Sequence, residues 1–279
     1  MPDDDDAPDG PPTAASQNEE SKDDGNAEEY PPITPGGSLM LAWQPRDRPI
    51  LLVGGGSRMQ VAASRLDHLL NASATAITLI APPPLHPLIA HRLATHPASI
   101  VHHPRLFLPS DLTDPPPSLL LTAIDDPAVS STIQLLARAA NIPTNVADVP
   151  GLCDFYFGAI HRSGPLQIMV STNGNGPRLA ATIRDRIAES LPSNIATAIA
   201  NVGILRRKLR GIAPGNTGSD ISQRMAFMSR VCDEWSFEQL AGMTDGEMDL
   251  LLAGYPDAVT SYDDLRRAKV ELLLSDTSL

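Results

Sequence analysis

Four short runs of apolar residues recur along the first half of the chain, with longer stretches of mixed polarity between them. Their apolar side chains occupy successive rather than alternating positions, which is typical of strands covered on both faces. The four runs are Pro49–Gly54, Ala76–Ala81, Ser118–Ala123 and Pro143–Asp148. Strands alternating with helices at this spacing predict βαβ units and a parallel sheet.

The stretches between the runs show helical periodicity. The helix after the first run carries one apolar face, formed by Ala62, Leu66, Leu69 and Leu70. A second helix is predicted over Asp126–Ala140, because acidic residues and an early proline favour a helix N-terminus. The Pro- and His-rich interval 81–117 predicts one short helix and a weak strand at Ser99–His103.

The pattern changes after residue 148. Two strands are predicted, Cys153–Ile160 and Leu166–Asn173, joined by a hairpin turn at HRSG. An amphipathic helix follows over Pro177–Pro192, and from Ser193 onward the chain is predicted to be helical. The expected fold is therefore α/β, with a helical C-terminal part.

The charge of the chain is concentrated at its N-terminus. Residues 1–36 carry eleven Asp or Glu and one Lys, a net of −10 out of the formal −12, which leaves −2 for the rest. This tail has almost no large apolar side chains and is predicted to be disordered. It lacks the basic and apolar residues of a targeting signal, and no run approaches the roughly 18 apolar residues that span a bilayer.

The remaining composition excludes several classes of function. A near-neutral body provides no electrostatic basis for nucleic-acid binding. The two cysteines, Cys153 and Cys232, form no disulfide framework and match no metal-ligand spacing. We therefore expect a cytoplasmic protein with no metal site, no nucleic-acid partner and no membrane segment.

Three glycines, Gly54, Gly55 and Gly56, follow the first strand and precede a helix, as in loops that hold a dinucleotide. Gly54 allows a sharp turn, and Gly56 allows the backbone to approach a pyrophosphate at the helix N-terminus. A third small residue normally lets helix and strand pack closely. By strict count that position is Met59, whereas a loop three residues longer assigns it to Ala62. The alternative is a tight turn without a ligand.

The second strand lacks the acidic residue that often holds the ribose hydroxyls in NAD-binding sheets. It continues into APPPLHP, so backbone groups of Ala81 and Pro82 are left to contact the adenosine side. Residue chemistry alone thus weakens the case for a conventional dehydrogenase.

Two aspartates follow the fourth predicted strand. Asp148 ends that strand, and the carboxyl edge of an open α/β sheet is where ligands bind. The alternative for Asp148 is a turn cap beside Pro150. Asp154 lies six residues later, and a solvated or hydrogen-bonded edge residue is the favoured interpretation for it.

Small polar residues at 171–176 precede the helix that carries Arg178, Arg184 and Arg186. Loop amides and guanidinium groups are suited to holding a carboxylate. The alternative is an ordinary helix N-terminus with solvated arginines.

Three segments, LLVGGG…VAASRL, NVADVPGLCDFYFG and LQIMVSTNGNGPRLAATIRDRI, resemble in this order the bifunctional siroheme synthase of fungi. The resemblance runs from about Pro45 to Tyr255. It implies an N-terminal Rossmann-like parallel sheet, a small α/β dimerisation domain and a helical C-terminal domain. The expected bounds are 1–36 for the tail, then 37–150, 151–192 and 193–279. It also implies a homodimer with the active site near the dimer interface.

The resemblance further implies a precorrin-2 dehydrogenase and sirohydrochlorin ferrochelatase. NAD takes a hydride from precorrin-2, and ferrous iron then enters sirohydrochlorin to give siroheme. Asp148 corresponds to the aspartate that the family needs for both steps, as a general base. The implied cofactor-binding residues are Gly54, Gly55, Gly56, Ser57, Gln60, Val61, Ala81, Pro82 and Thr122. The implied contacts of the tetrapyrrole substrate are Ser171, Thr172, Arg178 and Arg184.

One departure from the family leaves other functions open. Four residues, Ser57–Gln60, separate the glycines from Val61, more than in fungal relatives. A loop that no longer binds NAD would leave a chelatase alone, and a non-enzymatic nucleotide sensor is the third possibility. We find no methyltransferase region, so we expect another protein to methylate uroporphyrinogen.

Overall fold

The computed structural model describes residue 33, residues 35–56 and residues 60–276, with side chains up to residue 270. The predicted disordered tail lies almost wholly outside the described residues, and so do Ser57 and Met59. The chain divides into two units at Leu39 and Met40. The described part of the first unit is exposed and has no helix or strand. The second unit carries all the elements described below.

Five parallel strands form the main sheet, in the order β3-β2-β1-β4-β5. Their bounds are β1 Pro49–Val53, β2 Ala76–Ile80, β3 Ile100–His103, β4 Leu119–Thr122 and β5 Thr144–Val146. All five lie inside the runs predicted from the sequence. The predicted parallel sheet is therefore confirmed, including its weak strand at the edge.

Helices cover both faces of this sheet. They are α1 Gln60–Asn71, α2 Pro87–Thr95 and α3 Pro127–Ala139. Ile50 and Leu52 of β1 pack with α1 and α2, whereas Leu51 and Val53 pack with α3 on the opposite face. This two-sided burial explains the continuous apolar runs, and each fully buried Leu or Ile contributes roughly 1.5–3 kcal/mol.

A two-stranded antiparallel sheet follows, with β6 Ala159–Ser163, β7 Leu166–Val170 and α4 Pro177–Ser190 packed against it. The prediction that a strand begins at Cys153 was wrong, because the backbone before β6 bonds to β5 instead. The amide of Asp154 donates to the Thr144 carbonyl at 2.8 Å. The turn was also misplaced: it lies at Gly164, where φ is +56°, and Pro165.

The rest of the described chain is helical, as predicted. The helices are α5 Ile195–Ile212, α6 Gly218–Glu234, α7 Phe237–Gly242, α8 Asp245–Leu252 and α9 Tyr262–Asp276. Capping boxes begin α6, α7 and α8, with Thr217, Ser236 and Thr244 as the N-caps. Phe227 and Leu205 are fully buried at the centre of their shared core. Across the described residues, no helix has both the length and the apolar character needed to cross a bilayer.

Candidate functional site at the carboxyl edge of the sheet

The carboxyl ends of four neighbouring strands form one continuous row of hydrogen-bonded backbone. The amide of Gly54 donates to Ile80, that of Ala123 to Val53 and that of Ala147 to Thr122, at 2.8–2.9 Å. From β1 the chain adds β2 and β3 on one side of the sheet, and then β4 and β5 on the other side. Open α/β sheets bind ligands at such a switch point, which here lies between β1 and β4. Strands lie about 4.8 Å apart, so the end of β5 is roughly 10 Å from the glycine loop.

Gly54 and Gly55 have backbone conformations that other residues rarely adopt, with φ of +105° and +153°. A Cβ on Gly54 would lie 1.8 Å from the carbonyl oxygen of Ala123 on the neighbouring strand. A Cβ on Gly55 would lie 3.0 Å from the Ile89 side chain. The loop is therefore built on glycine for both conformation and space.

Several features of this loop fit a dinucleotide. A Cβ on Gly56 would meet nothing within 4 Å, and the amides of Gly55 and Gly56 donate no hydrogen bond within the described residues. The buried hydroxyl of Thr122 also has no partner among them. Helix α1 begins at Gln60, and Ala62 is fully buried, as the longer-loop alternative requires. NAD bound here would have free amides at its phosphates and a helix N-terminus behind them.

The segment after β2 is folded back toward the glycine loop. The His86 amide donates to the Gly55 carbonyl at 2.9 Å, and Leu85 pairs with Gly56. Both backbone groups of Ala81 are already bonded, its amide to His103 and its carbonyl to the ring of His102. Pro82 is exposed, so of the two residues predicted to contact the adenosine side, Pro82 has the more available carbonyl.

Asp148 lies in a turn directly after β5, with φ of +59°. A non-glycine residue in this region carries backbone strain, although Asp tolerates it better than most. The side chain is exposed, and its carboxylate makes no hydrogen bond or ion pair with any described residue. The strained turn thus presents a carboxylate that is unpaired within the described residues at the carboxyl edge of the sheet.

The residues after Asp148 hold this turn in place. Asp154 accepts a hydrogen bond from the Thr144 amide at 2.8 Å, which agrees with the structural interpretation of that residue. The buried Asn145 donates to the Phe155 carbonyl at 2.9 Å. The Cys153 thiol donates to the Val146 carbonyl at 3.1 Å, and burial raises its pKa. A thiol with a raised pKa is a poor nucleophile, so Cys153 is a packing residue here.

Sequence reasoning missed Arg65 on α1. Its guanidinium carbon lies 3.7 Å from the centre of the Phe157 ring. Burial lowers the pKa of Arg65 to about 10, and its electrostatic interactions with Cys153 and Asp148 partly oppose this change. The sequence marks this residue only by its charge and by its place next to Leu66 of the apolar face of α1. A solvent-exposed arginine at the border of that face would have the same pattern.

The second predicted binding segment is the loop before α4. The Ser171 and Thr172 hydroxyls accept hydrogen bonds from the amides of Asn173 and Gly176, both at 3.1 Å, and so shape the loop. Arg178 is exposed, whereas Arg184 pairs with the adjacent Asp185, with Nε to Oδ1 at 2.9 Å. Six residues of helix place the two arginines about 120° apart around α4. They therefore face different directions.

No group of three or more His, Cys, Asp or Glu side chains suited to a metal occurs among the described residues. A resident metal centre has no ligand set in this part of the chain.

Three family models match consecutive parts of the chain. A putative NAD(P)-binding family matches residues 41–159, the central part of sirohaem biosynthesis proteins matches 163–190, and their C-terminal part matches 192–260. A solved structure of SirC, a precorrin-2 dehydrogenase, is similar in fold, with a TM-score of 0.60 at 18% identity. It covers 78% of this chain and 100% of that one.

Curated relatives extend over most of the sequence. The chain is 42% identical over 239 residues to a siroheme biosynthesis protein of Schizosaccharomyces pombe, covering 86% of this chain and 88% of the relative. It is 32% identical to the siroheme biosynthesis protein of the same name in Saccharomyces cerevisiae, covering 70% and 82%. A siroheme synthase of Methylobacillus flagellatus is 36% identical over 62% of this chain, which spans only 35% of that protein. The chain belongs to the family of siroheme biosynthesis proteins.

Proposed function

We propose that the protein oxidises precorrin-2 to sirohydrochlorin with NAD and then inserts ferrous iron to give siroheme. The observation that carries the proposal is the edge of the sheet, where the free Asp148 carboxylate lies two strands from the glycine loop. A hydride acceptor and a proton acceptor are the two groups that such an oxidation needs.

When bound, NAD would supply the acceptor for the hydride that leaves the substrate carbon. Asp148 accepts the proton that leaves with it, so precorrin-2 loses two electrons and two hydrogens in total. The glycine amides and the N-terminus of α1 hold the cofactor phosphates. The strained turn holds the carboxylate at the edge of the sheet before the substrate binds, so little conformational entropy of this side chain is lost in the reaction.

In the second step, ferrous iron replaces the two protons on the inner nitrogens of sirohydrochlorin. Asp148 accepts these protons in turn, and no electron is transferred. This step needs no nucleotide, so it is independent of the glycine loop. The two activities share the tetrapyrrole site and differ in the cofactor.

The proposal assigns the oxidation site to residues 37–150, subunit contacts to residues 151–192 and a helical region to residues 193–279. A homodimer is supported by the surface of α4. Three of its apolar side chains are exposed at a spacing of four residues, which forms one stripe along the helix: Leu179, Ile183 and Ile187. Within the described residues, the sheet β6-β7 beside it has two strands, so each strand has one edge that pairs with no other strand there.

The test measures the two steps separately on the purified protein. We expect NADH to form when precorrin-2 and NAD are mixed with the protein, and siroheme to form from sirohydrochlorin and ferrous iron without NAD. Asp148→Asn should reduce both rates by at least a hundredfold. Asp257→Asn is the control, since it alters an exposed carboxylate in the helical region. If iron is inserted but no NADH forms, the protein is a chelatase only. If Asp148→Asn keeps the wild-type rates, the proposed role of Asp148 is refuted.

The homodimer is tested by the mass of the protein in solution. Light scattering after size exclusion should give twice the chain mass for the wild type and the single mass for Ile183→Glu. Ile212→Glu is the matched control, because Ile212 is also exposed but lies at the end of α5. A monomeric wild type would exclude the dimer.

A further inference from the structure

Arg65 carries a half-buried guanidinium that has no hydrogen-bonding partner among the described residues. Its Nε atom is inaccessible to solvent and makes no hydrogen bond there. None of its nitrogens makes an ion pair or hydrogen bond within this part of the chain. Buried arginines are normally paired, because the charge loses its hydration and is compensated only by hydrogen-bonded anions.

The surroundings of Arg65 hold it in place without satisfying it. The guanidinium carbon lies 3.7 Å from the centre of the Phe157 ring, and Phe157 in turn packs against the core that α1 helps to form. The aromatic face attracts the positive charge but accepts no N–H hydrogen bond of ordinary strength. The terminal Nη1 and Nη2 groups are not among the solvent-inaccessible atoms, so their donors stay available to a ligand.

The position of Arg65 indicates which ligand would satisfy it. Arg65 lies on the ring of Phe157, and the carbonyl of the nearby Phe155 accepts a hydrogen bond from Asn145 of β5 at 2.9 Å. Asp148 follows this strand directly, and it forms no ion pair with Arg65. An anion seated on Arg65 would therefore lie beside the proposed proton acceptor. The substrate in the proposed function is rich in carboxylates, and a planar guanidinium binds a carboxylate through two parallel hydrogen bonds.

We propose that Arg65 binds one carboxylate of the tetrapyrrole substrate and so orients the macrocycle toward Asp148. This inference rests on the proposed function and adds a positioning residue to it. Arg65 acts on binding and takes no part in proton or hydride transfer. Its removal should therefore raise KM for the tetrapyrrole more than it lowers kcat.

The experiment compares Arg65→Met and Arg65→Gln with the wild type in precorrin-2 oxidation. Both variants keep most of the side-chain volume over Phe157 and remove the charge. We expect KM for precorrin-2 to rise roughly tenfold to a hundredfold, which corresponds to the loss of a charged hydrogen bond, while KM for NAD stays unchanged. Arg65→Lys should restore part of the affinity, since it keeps the charge but not the two parallel hydrogen bonds.

Direct binding of sirohydrochlorin, followed by its absorbance, gives a second measurement that needs no turnover. Arg92→Gln is the matched control, because Arg92 is an arginine of α2 that is already paired with Asp67 of α1 at 2.7 Å. A Kd for sirohydrochlorin that rises in the Arg65 variants and not in the control supports the proposal.

Three results would overturn it. A folded Arg65→Met or Arg65→Gln with the wild-type KM and Kd would show that Arg65 only packs on Phe157, and a rise confined to KM for NAD would assign it to the cofactor. These two results leave the proposed function intact. A wild type that neither oxidises precorrin-2 nor binds sirohydrochlorin would instead refute the proposed function, and the role of Arg65 with it.

Discussion

Replacing Gly54 with alanine should destabilise the whole sheet. The new Cβ would lie 1.8 Å from the Ala123 carbonyl oxygen, and real Cβ contacts are not shorter than 3.0 Å. The ends of β1 and β4 must therefore separate by about 1.2 Å. That movement would break the hydrogen bond from the Ala123 amide to Val53, which is 2.8 Å long.

The magnitude combines two costs. An alanine at φ of +105° costs about 1–3 kcal/mol, and the lost hydrogen bond costs about 1 kcal/mol. A loss of about 3 kcal/mol is a large part of the 5–15 kcal/mol by which folded proteins are usually stable. For a chain of this size it corresponds to a fall in Tm of roughly 6–12 °C.

Thermal unfolding followed by circular dichroism measures this fall, and Gly56→Ala is the matched control. Gly56 has no positive φ and open space around its Cβ position, so we expect its Tm to stay within about 2 °C of the wild type. The proposed function adds that Gly56→Ala weakens NAD binding, since the methyl group would occupy the approach of the phosphates. A Tm for Gly54→Ala within 2 °C of the wild type would refute the reasoning.

Three further substitutions test other parts of the structure. Burial by itself raises the pKa of Glu247, but hydrogen bonds from its capping box and from Lys269 lower it below 4.5, so Glu247→Gln should cost about 2 kcal/mol at pH 7. This stabilisation is present above pH 4.5 and is lost as the pH falls through the lowered pKa. The free energies of urea unfolding of the wild type and Glu247→Gln should therefore become equal in acid, and a difference that does not change with pH would contradict this. Asp148→Gly should relieve the strain at φ of +59°, raising stability by about 1 kcal/mol while abolishing both activities, and a lower Tm would argue against a strained turn. Asp154→Ala leaves the buried Thr144 amide without its carboxylate and should cost about 2 kcal/mol in urea unfolding, whereas an unchanged midpoint would show that the bond is not needed.

Much of the fold follows from local patterns. The apolar runs and the helical periodicity predicted all five strands of the sheet and most helices, because each element reports its own burial through its own side chains. The segment Cys153–Gly158 misled that reasoning. Its apolar and aromatic residues have the composition of a strand, but its backbone bonds to β5, and periodicity contains no information about such pairing.

The sequence by itself therefore determined the parallel sheet, the glycine loop after β1 and an aspartate at the end of β5. Only the tertiary structure decided what surrounds that aspartate. Arg65 belongs to a helix far from Asp148 in the chain, and the two approach because β1 and β5 lie in one sheet with β4 between them. The role of the charge on Arg65 depends on this arrangement, because partial burial removes some of its hydration and the described residues supply an aromatic ring but no paired anion.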